Sequence, residues 1–172
     1  MRVVPTSLAA LTAASTVLPA FGFGSPSNPM QDMLMMSGTC TERVELFGKS
    51  AVRPKCKPLI NTVYKDRRTG FYFTTDDYIV TFSGVAPQVK TSADSSVQPI
   101  DLVLFNDIKN GDPNNTTKLS AAGTCDFANP FRGIQVMVKC KAETSRGRFK
   151  ATFRSDGSEP EILMQGGKML TR

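Results

Sequence analysis

From Arg43 onward, apolar and polar residues alternate in short runs rather than along helical stripes. Arg43 to Phe47 alternates, and Leu59 to Tyr64 is rich in β-formers. Phe71-Tyr72-Phe73 follows the polar turn Lys65 to Gly70, and Tyr78 to Phe82 follows Asp76-Asp77. Further apolar runs cover Ile100 to Ile108, Gly133 to Lys141 and Gly147 to Arg154, with a short one from Glu161 to Gln165. No segment repeats apolar residues at the 3.6-residue period. The pattern predicts an all-β fold, an antiparallel β-sandwich or small barrel of about seven to eight strands. Gly84 to Pro99 and Asn110 to Thr124 read as long polar connections.

Two hairpins can be given a register. With Asp76-Asp77 as a two-residue turn, Thr75 faces Tyr78, Phe73 faces Val80 and Phe71 faces Phe82, which gathers one aromatic and branched face for a core. In the second, Val138 is set against Phe149, Val136 against Ala151 and Ile134 against Phe153. The outward pairs are then Lys139 with Arg148, Lys141 with Arg146 and Met137 with Lys150.

Residues 3 to 31 carry no charge, lying between Arg2 and Asp32. One basic residue, an apolar run from Val3 to Leu18 and then small residues with Pro19 is the layout of a secretory signal peptide. An uncleaved anchor would fit the length, but Ala, Thr, Ser and Pro make the stretch weakly apolar for lipid. The leader is placed at residues 1–24, a Met-rich N-terminal arm at 25–39 and a single β domain at 40–172. Export makes the protein periplasmic or secreted.

In an oxidising compartment an even number of cysteines reads as disulfides, and there are 4. Cys40 with Cys56 and Cys125 with Cys140 each bracket a short segment, so local pairing is expected. A four-cysteine zinc site needs close C-x-x-C pairs, which are missing. A weak repeat joins the halves: Gly38-Thr39-Cys40 matches Gly123-Thr124-Cys125. Chance resemblance between two hairpins is the simpler explanation.

Charge changes the picture further. Lys and Arg outnumber Asp and Glu by 21 to 15. Residues 49–68 hold Lys49, Arg53, Lys55, Lys57, Lys65, Arg67 and Arg68 against Asp66 alone. Residues 139–154 hold Lys139, Lys141, Arg146, Arg148, Lys150 and Arg154 against Glu143 alone. The remainder is acidic on balance. Lys139, Lys141, Arg146, Arg148 and Lys150, with Lys65, Arg67 and Arg68, are therefore candidate anion-binding residues. The plainer explanation is a solvated face that aids solubility. Aromatic side chains point inward in both registers except Tyr72, which argues against base stacking and hence against nucleic acid. Anionic headgroups or an acidic protein partner need only charge.

The chain has no His and no Trp. Nucleophile–base pairs that depend on His are excluded, and no enzyme is expected. Met30, Met33, Met35 and Met36 could offer thioethers to Cu(I), although Met more often fills apolar gaps. Asn110 to Asn114 resembles a calcium loop but lacks the closing Glu, since Ala121 stands there. Asn114 and Asn115 each head a glycosylation sequon. Asp76-Asp77 sits at a hairpin tip, where adjacent exposed carboxylates are not tuned for catalysis. No cofactor is expected. The residues point to an exported, disulfide-stapled binding module for an anionic surface or acidic partner. The other reading is a structural subunit of an envelope or secreted assembly, docking through the N-terminal arm.

Overall fold

The structure, a computed structural model, describes residues 28–40, 45–46, 49–50, 58–109 and 116–170. The expected leader lies outside the described residues, as do Arg53, Lys55, Cys56, Lys57 and residues 110–115. The proposed Cys40–Cys56 pair and both sequons therefore fall outside it as well.

The strands are β1 (Met30–Met36), β2 (Gly38–Cys40), β3 (Glu45–Leu46), β4 (Lys49–Ser50), β5 (Leu59–Tyr64), β6 (Thr69–Thr74) and β7 (Tyr78–Gly84). They continue with β8 (Val89–Lys90), β9 (Ser95–Asp107), β10 (Thr117–Ala128), β11 (Met137–Thr144), β12 (Gly147–Ser155), β13 (Glu161–Gln165) and β14 (Lys168–Met169). No α-helix occurs among the described residues; Pro130–Arg132 forms one 3-10 turn. The fold is all-β, as the alternation predicts, but with more strands than the seven or eight expected. Several of the extra strands come from segments read as loop or arm, β8 inside the expected Gly84 to Pro99 connection among them. β10 occupies the second half of the expected Asn110 to Thr124 connection. Its inward positions include the small Ala121 and Gly123, and its outward ones are largely polar, so it carried no apolar alternation. The Met-rich segment expected as an arm becomes β1, paired with β5 on one edge and β13 on the other.

Hydrogen bonding orders the main sheet β14-β13-β1-β5-β6-β7-β9-β10-β11-β12-β2, with β8 added to β9, while β3 and β4 pair separately. Every pairing is antiparallel. From β1 through β5, β6, β7, β9, β10, β11 and β12 to β2 is eight steps. At about 4.8 Å per step, a flat sheet would hold β1 and β2 roughly 38 Å apart. In the chain only Ser37 separates them, so the Cα atoms of Met36 and Gly38 lie at most about 7.6 Å apart. The sheet must curl, and it forms a half-barrel whose rims the chain ties together. Asp156 N donates to Ser37 O at 3.0 Å, bridging the β12–β2 ladder and the β13–β1 ladder at this join.

The concave side holds the core. Leu59, Phe71, Phe73, Val80, Phe82, Val103, Val138, Phe149, Ala151 and Phe153 are buried there in one cluster. In the first hairpin Phe71 faces Phe82 and Phe73 faces Val80, the expected register. Thr75 Oγ1 fixes its turn by accepting from Asp77 N and Tyr78 N. Cys125 and Cys140 are direct partners across β10 and β11 and form the expected disulfide, with Cα atoms 4.0 Å apart.

The second hairpin corrects its expected register by four residues. Val138 faces Phe153, Cys140 faces Ala151 and Ala142 faces Phe149. The turn is Ser145-Arg146, closed by Thr144 Oγ1, which donates to Gly147 O and accepts from Arg146 N. A shift of four keeps each residue on its face, so the buried set survives. Ile134 is the exception: it lies before β11 and is exposed.

Candidate anion-binding face

Alternation along β11 and β12 sends Lys139, Lys141, Arg148, Lys150 and Arg154 to the convex side, away from Val138, Cys140, Phe149 and Phe153. The corrected register changes who meets whom. Lys141 stands directly opposite Lys150, Lys139 opposite Thr152, Met137 opposite Arg154, and Glu143 opposite Arg148. The expected oppositions of Lys139 with Arg148 and Lys141 with Arg146 do not occur. Arg148 Nε donates to Glu143 Oε1, so that cation is partnered. Both side chains are more than half exposed, so the pair contributes little to stability. On β10, Asp126 is the residue opposite Lys139. Arg146 sits exposed in the turn.

Lys141 and Lys150 thus form a like-charged cross-strand pair, with Lys139 and Arg154 on the same face and Glu143 already occupied by Arg148. Directly opposite side chains have Cβ atoms about 5 Å apart, and like charges there disfavour the pairing. Lys139, Lys141 and Arg154 are exposed, so this face turns positive charge to the outside.

The first basic segment contributes less. Lys65, Arg67 and Arg68 lie in the β5–β6 turn, and β7, β9 and β10 come between that hairpin and β11 in the sheet. Arg68 Nη1 is 2.6 Å from Asp101 Oδ1 and reaches Ser83 Oγ at 3.4 Å, so it belongs to a local ion pair. Asp66 Oδ1 accepts from Arg68 N. Lys65 and Arg67 are exposed, and Arg67 holds a left-handed backbone at φ 69°.

The remaining candidates are placed as follows. Met33 and Met35 share one face of β1 and Met36 takes the other, inside the core cluster, so the four thioethers do not converge. Asp76 and Asp77 lie exposed in the hairpin turn, with Asp77 Oδ1 3.0 Å from Lys109 Nζ. Among the described residues no group of three or more His, Cys, Asp or Glu side chains could hold a metal ion. No described helix is long and apolar enough to cross a membrane.

Compared with known protein families, with characterised proteins and with solved structures, the chain matches none.

Proposed function

We propose that this protein is an exported binding module that contacts an anionic surface through the convex face of the β11–β12 hairpin. The observation that carries this reading is Lys141 opposite Lys150, flanked on one face by Lys139 and Arg154. Lys139, Lys141 and Arg154 are exposed there, and cations gathered on one face attract an anionic surface. The role is binding rather than catalysis, because a chain without His lacks the usual base for a nucleophile. The assembly reading needed a free N-terminal arm, whereas Met30–Met36 is hydrogen-bonded along both edges. Retention on heparin resin tests the proposal: the wild type binds at low salt and elutes as salt rises through the screening range. A wild type that passes straight through at low salt reduces the face to a solubility device.

A further inference from the structure

The β5–β6 turn and the loop after β7 enclose an open cavity of about 290 Å³. Val63, Arg67, Thr69, Val85, Pro87 and Gln98 are among the residues that line it. Strand pairing explains how they meet. Val63 faces Thr69 across β5 and β6, and Thr69 faces Gly84 across β6 and β7. Gln98 enters from β9, where it stands opposite the buried Cys125, and it is itself 1% exposed.

The walls of this cavity are fixed by the protein's own bonds. Gln98 Nε2 donates to Ala86 O at 2.9 Å and to Pro99 O at 3.0 Å, which pins the loop to β9. Asp101 ties the other two sides together: it lies 2.6 Å from Arg68 Nη1 and accepts from Val85 N at 3.3 Å. Arg68 is thereby used in holding the walls. Its neighbour Arg67 is not, for among the described residues it has no carboxylate partner. The nearest acids in the chain and the fold are Asp66, which accepts from Arg68 N, and Asp101. Arg67 is also the one described residue other than glycine with a left-handed backbone. Glycine would hold that conformation without strain. A strained backbone at a charged residue lining a cavity points to a role outside folding.

We infer that this cavity binds a small monocarboxylate with an apolar body, the chemistry of a hexanoate ion. Arg67 takes the carboxylate, whose two oxygens match the planar fork of a guanidinium. Val63, Val85 and Pro87 cover the hydrocarbon. Val85 is 42% exposed, so a ligand laid against it removes apolar surface from water. Apolar walls with a few placed polar groups are the usual make-up of a small-molecule site, and the volume falls at the small end of the range of about 300–1,000 Å³. Walls that are already fixed reduce the ordering cost of binding. The site is built from β5 to β9, apart from the β11–β12 face, and does not depend on the role proposed above.

Titration of the isotope-labelled full chain with sodium hexanoate, followed by NMR, tests this. Hexanoate shifts the amide signals of Thr69, Val85, Ala86 and Gln98 in a saturable way. Acetate, which lacks the apolar body, and hexanol, which lacks the charge, each bind at least about ten-fold more weakly. Arg67→Gly relieves the backbone, so it melts no lower than wild type while hexanoate binding falls by at least about ten-fold. Arg67→Gln, which keeps a side chain without the charge, shows the same loss. Absent shifts, or shifts confined to β11 and β12, overturn the site. Acetate binding as tightly as hexanoate overturns the apolar body. Hexanol binding as tightly as hexanoate, or either Arg67 variant binding like wild type, overturns the carboxylate contact. An Arg67→Gly protein that melts lower overturns the strain argument.

Discussion

Lys141 lies directly opposite Lys150 on the convex side of the β11–β12 hairpin. Reversing one charge turns a disfavoured pair into a favoured one. Lys141→Glu is expected to raise stability by about 0.2–1 kcal/mol, read as a higher urea midpoint. The same change should shift elution from heparin to lower salt. Higher stability with unchanged elution would separate the pair from binding and place the anion contact elsewhere.

Cys125 is 0% exposed and Cys140 3% exposed. A reductant in native buffer should therefore leave their disulfide intact, and reduction should begin only where denaturant opens the β10–β11 pairing. The bridge closes a loop of sequence separation 15. Removing it by Cys125→Ala with Cys140→Ala should cost about 3 kcal/mol, mainly through the freer unfolded chain. Rapid thiol labelling after mild native reduction would contradict the burial.

Tyr72 shares a hydroxyl–hydroxyl contact of 3.0 Å with Tyr64. Burial first, and then this hydrogen bond, push its hydroxyl well above the ordinary 10.0. The folded state holds the proton more tightly than the unfolded state. That stability is fully present below pH 10.0 and is lost as pH rises beyond it toward the folded value. Tyr72→Phe should be less stable at neutral pH by about 0.5–1.5 kcal/mol, through the lost hydrogen bond. The gap to wild type should then narrow in alkaline solution. Urea titrations at several pH values from neutral upward check this, and a gap that stays constant through the alkaline range would refute it.

The aromatic hairpin was legible because Asp76-Asp77 fixes both its turn and its register. The second hairpin was legible only by face. A two-residue period cannot tell a register from one shifted by four, and the Ser145-Arg146 turn decides it through Thr144. The charges of the candidate face could therefore be counted, but not paired, before the structure. Glu143 with Arg148 and Lys141 with Lys150 emerge only from the true register. The Pro130–Arg132 turn was missed although Asn129-Pro130 and Gly133 are ordinary turn residues; the apolar run from Gly133 onward outweighed them. β10 was illegible because Ala121 and Gly123 contribute little apolar signal.

Gly123 gives the final prediction and a physical sense to the repeated Gly-Thr-Cys. A Cβ there would lie 2.1 Å from the Lys141 carbonyl oxygen and 2.6 Å from the Ala142 Cα, both backbone atoms of the adjacent strand. At Gly38 a Cβ would lie 2.1 Å from the Arg154 carbonyl oxygen on β12. In each copy the glycine lets a neighbouring strand approach where a side chain would block it, two residues before a cysteine. Gly123→Ala must push β10 from β11 close to the disulfide, and Gly38→Ala must push β2 from β12 at the join of the curled sheet. Each is expected to destabilise by about 1–3 kcal/mol, the range for overpacking against groups that cannot move aside. Urea midpoints of the two variants check this. A Gly123→Ala protein as stable as wild type would mean that the strands do not approach as described.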